Sequence, residues 1–147
     1  MDILFGTFAS KPLLIVRVFL GIVFFAHGSQ KVFGWFGGGG LRGTIAYFKQ
    51  ALGVPPPLTV LAALTELLGG FGMIAGFLVR PAAVGLIIVM LVAIATVHWR
   101  NGFFINWGLE PGKGHGFEMN FALIGMAAAV LAGGAGALSI DRLIHPW

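Results

Sequence analysis

Four long apolar segments dominate the pattern of hydrophobic and polar positions along the chain. They cover residues 13–33, 58–79, 82–98 and 117–138, and glycines, prolines and charged residues separate them. An α-helix needs about 20 mostly apolar residues to cross a hydrocarbon core of about 30 Å. The pattern therefore predicts an all-α membrane protein, a bundle of four transmembrane helices that forms one domain over residues 1–147.

The two long connections carry patterns of their own. In the first, apolar residues recur at helical spacing and polar residues occupy the other faces, which predicts a short interfacial helix. The apolar positions are Leu41, Ile45, Phe48 and Leu52, and the polar ones are Arg42, Lys49 and Gln50. The second connection, residues 99–116, is rich in aromatic residues, as is typical at membrane interfaces. With four crossings, both connections lie on one face, opposite both termini.

Composition supports the membrane interpretation and narrows the chemistry. The chain has 147 residues, of which 58% are hydrophobic and 10% charged, and the mean hydropathy is +0.95. The net charge is +4, but the basic residues lie mostly between apolar segments, so we expect them to contact lipid headgroups rather than nucleic acid. Because the chain contains no cysteine, its side chains cannot perform thiol–disulfide chemistry or ligate iron–sulfur clusters.

Ionisable residues inside the apolar segments are the candidate functional residues. Counting about 1.5 Å per helical residue places five of them in the half of the bundle nearest the long connections. These five ligand-binding candidates are His27, Lys31, Glu66, His98 and Glu118. Arg17 lies near the other end, where it is expected to be an interface anchor or a structural partner of backbone carbonyls.

His27 and Lys31 are four residues apart and so share one helix face. Charges in hydrocarbon usually point into the bundle and pair, which makes one of these two the expected partner of Glu66. Two interpretations remain open: a ligand pocket, and a sealed structural core in which His27 only bonds Glu66 while Lys31 extends to the lipid headgroups. His98 has a further alternative, as an ordinary interfacial residue beside Trp99.

Metal binding is not expected from the spacing of the possible ligands. The apolar segments contain no HxxxH pair and no paired-carboxylate motif, so no metal residues are predicted. A haem held between His27 and His98 is the less favoured alternative.

Small residues predict where helices approach closely, because backbone contact drives helix association in lipid. Gly72 and Gly76 form a GxxxG pair, and Gly125, Ala129 and Gly133 form a stripe in the fourth segment. Packing within the chain is the main interpretation, and a homodimer is the alternative.

The segments "RVFLGIVFFAHGSQKVFG", "LTELLGGFGMIAGFLVRPAAVGLIIVMLVAIATVHWRNGFF" and "GFEMNFALIGMAAAVLAGGAGALSIDRLI" resemble the DoxX family of small bacterial membrane proteins. The resemblance runs from Arg17 to Leu143. It implies four transmembrane helices in the bacterial cytoplasmic (inner) membrane, with both termini in the cytoplasm. The matching positions are Arg17, His27, Gly28, Lys31, Glu66, Arg80, Pro81, His98, Asn101, Gly102, Phe103 and Glu118.

The resemblance also implies a component of a membrane oxidoreductase, with a quinone as the expected cofactor or ligand and a redox protein as partner. The expected function is therefore to hold a quinone or another small lipophilic ligand in an intramembrane polar pocket. His27 and Lys31 would donate hydrogen bonds, Glu66 would relay a proton, and an aromatic ring such as Phe24, Phe25, Trp35 or Phe36 would cover the ligand. A non-enzymatic scaffold or a small lipid or solute carrier is the alternative.

Overall fold

The computed structural model describes residues 2–145, and all the regular structure in that range is helical. Met1, Pro146 and Trp147 of the predicted domain lie outside the described residues. The helices are α1 (Asp2–Phe5), α2 (Lys11–Phe33), α3 (Gly40–Leu52), α4 (Pro56–Ala75), α5 (Val79–Ala93), α6 (Glu118–Gly133) and α7 (Ile140–Ile144). A π-helical turn (Ile94–His98) and a 3₁₀ turn (Trp99–Asn101) continue α5.

Three of these helices are long and apolar enough to cross a membrane, judged by length and composition. They are Lys11–Phe33, Pro56–Ala75 and the continuous stretch Val79–Asn101. The fourth apolar helix, α6, is shorter, with 16 residues. The structure thus confirms the predicted helical fold, and it has three candidate membrane-spanning helices where the hydropathy pattern predicts four.

The long helices pack antiparallel around one core. Helix α2 contacts α4 along its length, α4 contacts α5, and α5 contacts α6. Their shared core is apolar and includes Leu20, Phe24, Met73, Leu86 and Ala127. This arrangement puts the connections 34–55 and 102–117 at one end of the bundle, the loop end, and both described chain ends at the other.

Glycines set the spacing between α2 and α4. A Cβ built on Gly28 would lie 2.4 Å from the Leu67 amide nitrogen, and one on Gly70 would lie 2.3 Å from that of Phe25. Only hydrogen fits at these positions, so the two backbones touch. The predicted pair Gly72 and Gly76 does not serve this purpose, because α4 ends at Ala75 and Gly76 is its left-handed cap.

The glycines of the small-residue stripe in the fourth segment lie in different environments. Gly133 packs against the Leu13 side chain, whereas no atom lies within 4 Å of a Cβ built on Gly125. Gly125 and Ala129 are both exposed. Of the two glycines in the predicted stripe, therefore, only Gly133 makes a close contact within the described chain.

Two helix boundaries differ from those predicted. The turn between α4 and α5 is Gly76–Leu78, so Arg80 and Pro81 belong to the first turn of α5, where a missing proline N–H costs no helical hydrogen bond. Helix α6 ends at Gly133, because Gly134 has a φ of 79° that ends the helix. The apolar residues up to Leu138 continue as irregular chain rather than as helix.

Arg17 closes the chain-end side of the bundle. Its side chain is fully buried and donates hydrogen bonds to five backbone carbonyls from two segments. These belong to Met73 and Ile74 in the last turn of α4, and to Ala135, Ala137 and Leu138 in the irregular segment. Two roles were expected for Arg17, and in the structure its side chain pairs with backbone carbonyls.

Asp141 completes the same end of the bundle and was not predicted from the sequence. Its carboxylate accepts hydrogen bonds from the amides of Leu78, at 2.7 Å, and Val79, at 3.1 Å. These amides open α5, where a negative charge also favours the helix dipole. The segment after α6 is thereby tied to α2, α4 and α5.

Candidate functional site

A cavity of about 760 Å³ lies at the loop end of the bundle, between α2, α3, α4 and α5. Its volume falls within the range of about 300–1,000 Å³ that is usual for small-molecule sites. Its walls are mostly apolar, and its chemically distinctive lining residues are His27, Lys31, Thr44, Tyr47, Glu66, Thr96 and His98. Four of the five ligand-binding candidates therefore border one cavity.

An ion pair between Lys31 and Glu66 joins α2 to α4 at the cavity wall. Glu66 is only 3% exposed, and the Lys31 side chain is 23% exposed. Close packing explains the pairing, because Gly28 lies against Leu67 and Lys31 is one helical turn beyond Gly28. The sequence allowed either His27 or Lys31 as the partner of Glu66, and the structure has Lys31.

His27 borders the cavity on the same face of α2 but remains exposed. Within residues 2–145 its ring makes no hydrogen bond and no ion pair. The imidazole can therefore donate to or accept from a molecule in the cavity. In the sealed-core alternative His27 bonds Glu66, and that contact does not occur here.

The π-helical turn brings His98 to the cavity. Thr96, Val97 and His98 are consecutive, and all three border it. A π-turn adds a residue to the helical repeat, and such turns are common at functional sites. The His98 Nδ1 lies 2.9 Å from the backbone carbonyl of His115, which ties this ring to the second long connection.

Glu118 lies apart from the other candidates and does not border the cavity. Its carboxylate accepts a hydrogen bond of 3.1 Å from the Ile105 amide. At the start of α6 this acidic side chain also favours the helix dipole. Its contacts hold the second long connection against α6, so the prediction that it belongs to the ligand site is not supported by its position.

The family is decided by comparison of sequences. The sequence model of DoxX matches residues 12–99, which is more than half of the chain. The chain belongs to the DoxX family. Within this DoxX chain the matched residues include Arg17, His27, Lys31, Glu66 and His98, whereas Glu118 lies beyond them.

A curated relative of this DoxX protein is named "Putative oxidoreductase CatD" and comes from Bacillus subtilis (strain 168). The two are 33% identical over 93 residues, which cover 63% of this chain and 64% of the relative. The alignment thus spans less than two thirds of the length of the curated relative. No solved structure matches the chain significantly.

The aromatic wall of the DoxX cavity differs in part from the predicted one. Phe24 borders the cavity, but Phe25, Trp35 and Phe36 do not. Tyr47 and Phe48 of α3 take that place, because α3 folds back over the cavity. The amphipathic spacing of residues 41–52 predicted this helix, and its apolar face was the available signal for Phe48.

Metal ligands do not cluster in the part of the DoxX chain that the structure describes. Among the side chains described, those of residues 4–145, no three His, Asp or Glu are placed to hold one ion. Besides hydroxyl groups, the cavity wall carries an ion pair and two imidazoles. Such groups can bind and orient a ligand, and they can exchange protons with it.

Proposed function

We propose that this DoxX protein is a membrane oxidoreductase subunit that holds a quinone, or another small lipophilic ligand, in the cavity at the loop end of the bundle. The observation that carries the proposal is the position of the Lys31–Glu66 pair and His27 on the wall of an otherwise apolar cavity. Ligand sites are typically apolar with a few convergent polar groups. The name of the Bacillus subtilis relative agrees with redox chemistry.

The polar groups suit the two carbonyl oxygens of a quinone. The Lys31 ammonium and the His27 ring can donate hydrogen bonds to these oxygens, and Glu66 can pass a proton when the ring is reduced. Phe24, Tyr47 and Phe48 offer aromatic surface for the ring. Because the chain has no cysteine, its own side chains offer no thiol redox couple, and electrons come from a bound redox group or a partner protein.

The ligand test uses His27, because this ring makes no hydrogen bond within the described chain. Detergent-purified protein is titrated with a short-chain ubiquinone, and binding is followed by quenching of tryptophan fluorescence. His27→Ala is expected to weaken binding about tenfold, which corresponds to about 1.4 kcal/mol, while leaving the unfolding temperature nearly unchanged. His145→Ala, at the opposite end of the bundle, is the matched control and should bind like the unmodified protein.

Four results would count against this proposal. If the unmodified protein fails to bind the quinone, the quinone proposal is wrong. If His27→Ala lowers stability without changing affinity, the ring is structural. Equal binding of quinones and redox-inactive lipophiles of the same size, without any reduction of the quinone by membranes that contain the protein, would favour a carrier. A Soret band in the purified protein would favour haem.

We also propose that α6 crosses the membrane with the three longer helices, and that the termini lie in the cytoplasm of a bacterial cell. The 16 residues of α6 give a length of about 24 Å, which is shorter than a typical core of about 30 Å. Antiparallel packing of α6 on α5 supports a fourth crossing. Local thinning of the bilayer or snorkelling side chains accommodate a short helix.

Cysteine labelling tests this topology cleanly, because the chain has no native cysteine. Cysteines at Gly39 and Lys113, both exposed at the loop end, are expected to react with an impermeant maleimide added to whole cells. A cysteine at Leu143, which is 84% exposed near the chain end, should react only after permeabilisation. The reverse pattern would invert the orientation, and opposite behaviour of Gly39 and Lys113 would refute four crossings.

A further inference from the structure

The neutral ring of His98 is held in one tautomer by its hydrogen-bond partner. A carbonyl oxygen only accepts hydrogen bonds, so the 2.9 Å contact with His115 requires a proton on Nδ1. The same carbonyl accepts a 3.0 Å hydrogen bond from the Asn101 side chain, which fixes its position. In the neutral ring the other nitrogen, Nε2, therefore carries a lone pair and is an acceptor.

Several hydrogen-bond donors on the cavity wall are already engaged, although Tyr47 and Thr65 also border the cavity. The hydroxyl groups of Thr44, Thr59 and Thr96 border the cavity, and each donates to a backbone carbonyl. Lys31 uses one of its three N–H groups to donate to Glu66. The wall of α5 at its loop end thus offers the ligand an acceptor at His98 rather than a donor.

We propose that His98 Nε2 accepts a hydrogen bond from a hydroxyl group of the ligand, so that the cavity prefers a lipophilic alcohol or phenol to the same molecule with its hydroxyl capped. This inference rests on the proposed ligand-binding function and names the chemical class of its ligand, to which the reduced, hydroxyl-bearing form of a quinone belongs. His98 binds the ligand directly, and Asn101 and the His115 carbonyl position the ring. Elsewhere on the cavity wall, the ion pair and His27 supply further polar contacts.

A pair of matched probes tests the preference. 2-Naphthol and 2-methoxynaphthalene share an apolar body, and only the first can donate a hydrogen bond. The full-length protein in detergent is expected to bind 2-naphthol about tenfold more tightly than the ether, as one hydrogen bond of about 1.4 kcal/mol would give. His98→Phe should reduce that ratio to about one, because the acceptor is lost.

His98→Gln provides the rescue. Its amide nitrogen can donate to the His115 carbonyl while its oxygen faces the ligand, so part of the preference should return. Nitrogen-15 NMR of the unmodified protein reports the ring tautomer independently, and does so even if the Phe variant fails to fold. A proton found on Nε2 instead of Nδ1 in the neutral ring would overturn the proposal.

The outcomes separate this inference from the proposed function. If both naphthalenes bind with equal affinity, or if His98→Phe keeps the preference, the role of His98 is wrong while the ligand site stands. If neither naphthalene binds but the ubiquinone does, the alcohol or phenol class is wrong and the quinone proposal survives. If no probe of any kind binds, both proposals fail.

Discussion

Replacing Arg17 with methionine is expected to cost the folded protein on the order of 3 kcal/mol or more, because buried carbonyls that lose their donor cost about 1–3 kcal/mol each. Five carbonyls depend on this one guanidinium. Thermal unfolding of the detergent-purified variant, followed by circular dichroism, measures the loss. A low yield of folded protein would indicate a larger loss of stability of the same origin.

Arg42→Met is the matched control for Arg17→Met. Arg42 lies exposed on α3, so its loss removes the same charge without unpairing a buried carbonyl. Arg17→Lys should fall between the two, because lysine keeps the charge but lacks the planar array of five donors. If Arg17→Met and Arg42→Met unfold at the same temperature, the carbonyl contacts do not stabilise the bundle.

Removing the charge of Glu66 is expected to have the second largest effect. Glu66→Gln leaves the Lys31 ammonium without its carboxylate in a mostly apolar wall, and breaking a buried ion pair costs about 3–5 kcal/mol. Because the Lys31 side chain is 23% exposed, we expect a value near the lower end of that range. The measurement is again the unfolding temperature in detergent.

Glu110→Gln is the control for Glu66→Gln. Glu110 pairs with Lys113 at 3.2 Å, but both side chains are more than half exposed, and such pairs contribute about 0–1 kcal/mol. A further variant, Glu66→Gln with Lys31→Met, removes both charges and should regain part of the lost stability. Equal effects of Glu66→Gln and Glu110→Gln would contradict a stabilising ion pair between Lys31 and Glu66.

Much of the helical fold could be predicted because hydropathy and helix-ending residues act locally. The first segment ends at Phe33, as predicted, where Gly34 adopts a left-handed conformation. The predicted fourth helix extends too far, to Leu138, because apolar residues continue after the backbone leaves the helix at Gly134. Hydropathy reports the burial of side chains, and the conformation of the glycines after Gly133 decides the end of α6.

The sequence could predict those residues of the candidate site whose position depends only on their depth along a helix. Counting residues placed His27, Lys31 and Glu66 in the same half of antiparallel helices, but it left both His27 and Lys31 as possible partners of Glu66. The close contact of Gly28 with Leu67 decides for Lys31. Tyr47 and the His98–His115 contact depend on how two long connections fold back over the bundle, and no local pattern specifies that. Glu118 has the right depth, but its carboxylate turns to the Ile105 amide.

The carbonyls around Arg17 also constrain the order in which the chain can assemble. Arg17 is in the first long helix, but only two of its five partners, Met73 and Ile74, come before residue 100. The other three lie between Ala135 and Leu138. As the polypeptide emerges during synthesis, a nascent chain that stops short of Ala135 contains the cation but lacks most of its acceptors. The guanidinium of Arg17 is synthesised early, but it can form all five hydrogen bonds only after residues 135–138 have been synthesised.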